Sequence, residues 1–238
     1  MQTLALKVKR SWLETPTICA IEIEVAREKL PFKPRQCCLV ELKLANGEVT
    51  DRDFSIALSP TRANLVFATR NTGSEFKKAF AELKAGDDVA ISGPFGNFIF
   101  EDSITNAVFL SGGIGITPLK SMVEYASDKK SSAKLTLIYG NRTPEEIAFR
   151  KELDAMAKTN PNLKVVHVVS NPEQGKEKWN GLTGRITAEI IKASVENLPS
   201  AVFYICGPPG MVEALHKILQ EMGVSEEKIK IENFTGYK

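Results

Sequence analysis

From its start to about residue 100, the chain places apolar side chains at every second position in short runs, as in Thr17-Ile18-Cys19-Ala20-Ile21-Glu22-Ile23-Glu24-Val25 and Cys38-Leu39-Val40-Glu41-Leu42-Lys43-Leu44. A period of two puts one face of each run in a core and the other toward water, so these runs predict strands. Turn residues separate them: Pro31 and Pro34, Asn46-Gly47, Ser59-Pro60, and Lys84-Ala85-Gly86-Asp87-Asp88. One helical stretch interrupts, Ser74 to Leu83, with Phe76, Phe80 and Leu83 on one face behind a Ser74 cap. This half predicts an antiparallel β-barrel with one covering helix.

Near residue 104 the pattern changes. Ala107-Val108-Phe109-Leu110 is continuously apolar, as a parallel strand covered on both faces requires, and a glycine-rich turn follows it. Strands Lys134 to Tyr139, Leu163 to Val169, Ala201 to Cys206 and Lys228 to Glu232 then alternate with helices Pro144 to Ala157, Thr187 to Val195 and Gly210 to Met222. Such alternation predicts a doubly wound parallel sheet. The expected domains are 1–102, the barrel, and 103–238, the α/β unit, joined at the polar Glu101-Asp102-Ser103.

Composition changes this picture little. Apolar residues at 43% and charged residues at 25% are enough to fill globular cores. Thirty-one basic against twenty-nine acidic side chains leave +2, too small a charge to argue for a nucleic-acid or membrane surface. Lys7, Lys9 and Arg10 interrupt the start before any signal-like apolar run, and no stretch has the length of a membrane span; the expectation is a cytoplasmic protein. Cys19, Cys37, Cys38 and Cys206 show no metal or cluster spacing, so no metal is expected and the thiols are expected to be buried.

Candidate chemistry falls on four segments. Ser111-Gly112-Gly113-Ile114-Gly115-Ile116-Thr117-Pro118 joins a buried strand to a helix, so its free backbone amides can receive a pyrophosphate. Pro118 stands where a third glycine would complete the dinucleotide fingerprint. On one strand, Arg52-Asp53-Phe54-Ser55 combines a guanidinium for phosphate, a ring for stacking and a hydroxyl for hydrogen bonding, with Arg52 and Phe54 on the same face. Gly93-Pro94-Phe95-Gly96 and Cys206-Gly207-Pro208-Pro209-Gly210-Met211 complete the set. His167 and His216 fall inside a strand and a helix and read as structural.

These four segments, in this order and spacing, resemble the ferredoxin-NADP reductase family over almost the whole chain. The resemblance implies FAD on the barrel, with Arg52 on its pyrophosphate, Asp53 beside it, Phe54 against the isoalloxazine or ribityl, and Ser55 near N5. Phe54 stands in place of the commoner tyrosine and lacks its phenol. Thr72-Gly73-Ser74, opening a helix, matches the family's second phosphate-binding segment. The resemblance further implies a nicotinamide dinucleotide at Gly113, Gly115, Thr117 and Pro118, with Cys206, Gly207 and Pro208 beside the nicotinamide. Ser55, Cys206 and Glu232 would line the hydride-transfer site, Cys206 as a polarizable neighbour rather than a nucleophile. Phe234 or Tyr237 would stack on the flavin. Ser170-Asn171 lacks the Ser-Arg pair that holds a 2′-phosphate in the family's NADP users, which favours NADH, while Arg142 and Arg185 remain available for NADPH. The expected activity is an FAD-dependent NAD(P)H oxidoreductase serving a separate one-electron acceptor such as ferredoxin, flavodoxin or an oxygenase component. Its rivals are a flavin-bound relay subunit of a larger redox complex and a reductase of free flavin.

Overall fold

The computed structural model describes residues 2–25 and 29–234. Six strands, β1 (Gln2–Thr15), β2 (Ile18–Glu24), β3 (Cys37–Lys43), β4 (Val49–Ser55), β5 (Asn64–Arg70) and β6 (Asp88–Phe95), form an antiparallel sheet in the order β4-β3-β6-β1-β2-β5. β1 serves both halves of this sheet: Gln2 to Lys7 pair with β6, and Val8 to Thr15 pair with β2. The two edges approach each other where the Ala57 N–H, just past β4, donates to the Val66 carbonyl of β5 at 2.8 Å. The sheet therefore rolls into a barrel around Ile21, Ile23, Val40, Leu42 and Ile91. Helix α1 (Glu75–Glu82) is capped by Ser74, as its sequence predicts, and closes one end with Phe76 and Phe80.

The second sheet is parallel. Its strands β7 (Asn106–Gly112), β8 (Lys134–Asn141), β9 (Leu163–Val169), β10 (Leu182–Thr183), β11 (Val202–Gly207) and β12 (Ile229–Asn233) lie in the order β10-β9-β8-β7-β11-β12. Alternate residues of β7 enter opposite cores. Ala107 and Phe109 pack beneath α2 (Ile116–Asp128) and α3 (Arg150–Thr159), while Val108 and Leu110 pack beneath α4 (Ala188–Ser194) and α5 (Pro209–Glu221). Burial on both faces explains the unbroken apolar run. Because the strand order reverses beside β7, a crevice opens between the ends of β7 and β11.

Two expectations are corrected. The helix read from Pro144 to Ala157 begins only at Arg150, after a 3-10 turn at Pro144–Glu146. Phe149 is left-handed at φ 57°, and its N–H donates to Glu14 Oε1 of the barrel at 2.7 Å instead of to a helical carbonyl. The two-residue strand β10 had no apolar signature, since Leu182 and Thr183 are both exposed.

One core crosses between the two sheets, joining Ile18, Ala57 and Val66 of the barrel to Ile116, Leu119 and Met122 of α2. Polar contacts reinforce it. Glu124 Oε2 accepts from the Ser59 N–H at 3.0 Å, Ser121 Oγ donates to the Leu58 carbonyl at 2.6 Å, and Lys120 Nζ donates to the Ala57 carbonyl at 3.2 Å.

Candidate functional site

The crevice at the strand reversal is a cleft of about 610 Å³. Gly112 and Gly113 form one wall, Pro208, Gly210 and Met211 the opposite one, and Gly140, Asn141, Arg142, Ser170 and Arg185 line its far end. Arg70 reaches it from the end of β5, so the barrel contributes to a cleft that belongs mainly to the second sheet.

The glycines divide the labour. Gly113 has φ 53° and lines the cleft. Its carbonyl accepts from Tyr139 Oη at 2.9 Å, and burial raises that phenol's pKa, which keeps the proton on the donor. Gly115 is buried instead: a Cβ there would meet the Cys206 carbonyl oxygen at 2.5 Å and Gly207 Cα at 2.6 Å. It lets the turn lie directly against β11. Thr117 and Pro118 are likewise buried in α2, with Thr117 Oγ1 donating to the Ile114 carbonyl at 3.2 Å. Of the four residues expected to contact the dinucleotide, Gly113 faces the cleft, and Gly115, Thr117 and Pro118 build the turn behind it.

The electrostatics favour an anion. Three guanidinium groups, Arg70, Arg142 and Arg185, face the cleft with one carboxylate, Glu146. Arg70 Nη1 donates to Thr17 Oγ1 at 2.6 Å and lies 3.7 Å from Glu146, and both Nε and Nη2 of Arg142 donate to Gln174 Oε1. A cleft with excess guanidinium charge suits bound phosphate.

On the barrel, Phe54 corrects its expected role. Its ring is inside the core, stacked 5.0 Å from Phe80 and edge-on to Phe67, because β4 alternates and this position points inward with Cys38. Arg52 shares that face; its guanidinium lies 5.4 Å over Phe76 and donates to Thr50 Oγ1 at 2.9 Å. Arg52 is thus carried to the first turn of α1, the turn that follows the exposed Thr72, Gly73 and Ser74. Asp53 points outward and is exposed, while Ser55 ends the strand, buried beside Cys37.

At the junction of the two sheets, Cys206 is fully buried, and Glu232 on β12 forms an ion pair with Arg35. Gly207 is buried and Pro208 exposed. The Phe234 N–H donates to the Gly207 carbonyl at 2.9 Å, which ties the residue after β12 to the end of β11. Tyr237 lies outside the described residues. Burial pushes the thiols of Cys206 and Cys37 up, more than the Arg35 guanidinium pulls either down, so neither is a thiolate near neutrality. His167 and His216 pair with Asp154 and Glu226, away from the cleft lining.

Sequence reasoning missed Arg35, Arg70 and Met211 as site residues. Arg70 had a usable signal, a strand-terminal arginine two residues before Thr72-Gly73. Met211 stood inside a recognised segment, and Arg35 had none.

A family profile described as the oxidoreductase NAD-binding domain matches residues 109–217. Among solved structures, a ferredoxin NADP+ reductase from Neisseria gonorrhoeae with bound FAD and NADP superposes with a TM-score of 0.82 at 23% identity, over 98% of this chain and 99% of its own. The chain belongs to the ferredoxin-NADP reductase fold family. The same reductase fold recurs in a flavohemoglobin from Malassezia yamatoensis, TM-score 0.85 at 22% identity, where it covers 98% of this chain and 60% of that one. A component of the Na(+)-translocating NADH-quinone reductase of Serratia proteamaculans is 35% identical over 158 residues, 65% of this reductase-fold chain. The match spans 39% of that relative's length.

Proposed function

We propose that the chain is an FAD-dependent NAD(P)H oxidoreductase delivering electrons to a separate acceptor. The observation that carries this reading is the glycine-walled cleft with three arginines at the strand reversal. Its donor set fits a dinucleotide: Arg70 and the Gly113 turn hold the pyrophosphate, and Arg142, Ser170 and Arg185 receive the adenosine end. The barrel fits FAD through Arg52 and Thr72-Gly73-Ser74 at the start of α1, with Asp53 exposed beside them. Two polar atoms left without partners at the junction, Arg35 Nε and Glu232 Oε2, fit a polar ring edge placed there.

Bound FAD supplies acceptance of a hydride and release of its electrons singly. The chain's residues position and exclude. Ser55 and Glu232 border the junction, Phe234 is the ring available to cover the flavin, and Cys206 contributes packing from behind as a neutral thiol. Ser170-Asn171, together with the engagement of Arg142 by Gln174, favours NADH over NADPH.

The acceptor is a redox protein such as ferredoxin, flavodoxin or an oxygenase component. A second reading, a reductase component within a larger redox complex, is favoured by the likeness to the sodium-translocating quinone reductases. The first experiment is the visible spectrum of the purified protein, before and after anaerobic NADH or NADPH. Bleaching of a flavin band supports the oxidoreductase, and the faster nucleotide identifies the donor. Flavin that neither nucleotide bleaches leaves only a relay; a protein that binds no flavin removes the reading of the barrel. Arg70→Gln is expected to weaken nucleotide binding about tenfold without loss of flavin, since one charge-assisted phosphate contact is removed.

A further inference from the structure

Arg35 and Glu232 meet across the junction through Nη2 and Oε1. A guanidinium commonly closes on a carboxylate with two parallel bonds. Here the second donor, Arg35 Nε, and the second acceptor, Glu232 Oε2, are buried without partners among the described residues. The side chains are 6% and 21% exposed, which withholds bulk water from the arginine and leaves one approach to the carboxylate. Unmet buried polar atoms are rare in native proteins, and one donor beside one acceptor is a defined recognition pattern.

The backbone keeps this arrangement against a local preference. Arg35 has φ 79°, a left-handed conformation uncommon outside glycine, and its N–H is anchored on Ser121 Oγ of α2 at 3.2 Å. Its guanidinium lies 4.9 Å over the Phe98 ring and against Gly96, where a Cβ would come within 2.6 Å of Nη1. A cradle shaped to the arginine head, together with a residue held in a sparsely used conformation, marks a position kept for function.

We propose that Arg35 and Glu232 together read a planar amide edge, with Arg35 Nε donating to its C=O and Glu232 Oε2 accepting from its N–H. The inference rests on the cofactor reading above, because two groups in those cofactors carry such an edge: the pyrimidine end of the flavin and the carboxamide of the nicotinamide. Their own ion pair fixes the donor and acceptor relative to each other, so an edge whose N–H is replaced by a methyl-bearing group is rejected.

The test has two arms. Apoprotein is titrated with FAD and with 3-methyl-FAD, and flavin-loaded protein with NAD+ and with its 3-acetylpyridine analogue; each analogue keeps the C=O and loses the N–H. The native protein is expected to prefer the natural ligand by about tenfold or more in one arm, the loss of a hydrogen bond to a charged group, and that arm identifies the source of the edge. Arg35→Gly, which suits the left-handed backbone, and Glu232→Ala are each expected to reduce the preference to within about twofold, with circular dichroism reporting the fold. Equal binding of both members of each pair by the native protein overturns the proposal, whatever the variants do. A preference that survives Arg35→Gly overturns the role of Arg35. Failure of every flavin and nucleotide to bind defeats the cofactor reading itself, whereas FAD binding without discrimination in either arm defeats only this inference.

Discussion

Cys38 is sealed in the barrel, and burial, reinforced by neighbouring Cys37, pushes its thiol up to about 12 from the ordinary 9.0. The native state holds the proton that the unfolded chain releases near pH 9, so the stability gained is complete below that value and is lost as pH rises toward 12. Denaturant midpoints are expected to fall across this window, and to fall less steeply in Cys38→Ala. Equal slopes in the two proteins would remove Cys38 from the account. At Gly115 steric contact decides the outcome. A methyl group there meets backbone of β11 rather than a side chain that can swing away. Gly115→Ala is therefore expected to cost about 1–3 kcal/mol and to displace the dinucleotide turn, read as a lower melting temperature together with weaker nucleotide binding.

At the scale of elements, β4 shows what a strand's alternation decides. Phe54 faces Phe67, Phe76 and Phe80, so Phe54→Ala is expected to destabilise the barrel by about 3–5 kcal/mol in urea unfolding, a core penalty. A cost below about 1 kcal/mol would place the ring outside the core. The strands and helices were legible because their apolar periods are local, and so were the Ser74 cap and the glycine turn. The facing of Phe54 was not, since the same alternation serves an inward or an outward aromatic until the partner strand is known. The break at Phe149 depends on Glu14, 135 residues away, and no local pattern records it. Arg35 sits in a stretch that reads only as a Pro-rich turn, and its importance comes from a carboxylate near the other end of the chain. The cleft was legible in its Gly113 turn and Pro208, but not in Arg70, whose reach across the junction is a property of docking.

For the whole molecule, the decisive contacts are those that hold the barrel on α2. Glu124 is buried and accepts from Ser59, Arg62 and Lys120, and Lys120 is itself buried. Glu124→Ala strands that lysine with only the carboxylate of Glu152 near it as a counterion, at 2.9 Å. Removing one partner of a buried pair costs about 3–5 kcal/mol. The single calorimetric transition expected of the native protein should move down or divide into two; an unchanged transition would show that the apolar core alone docks the halves. No helix among the described residues is long and apolar enough to cross a membrane, which bears on how a partner is met only through the surface. β1 carries a consequence for how the chain reaches this state. Its first six residues find their partners in Asp88 to Gly93, so the half-strand that is made first stays unpaired until nearly the entire barrel sequence exists. Closure of such a long loop is slow. Folding during synthesis should accordingly leave Gln2 to Lys7 open to amide exchange or proteolysis until β6 emerges, with β2 and β5 protected earlier.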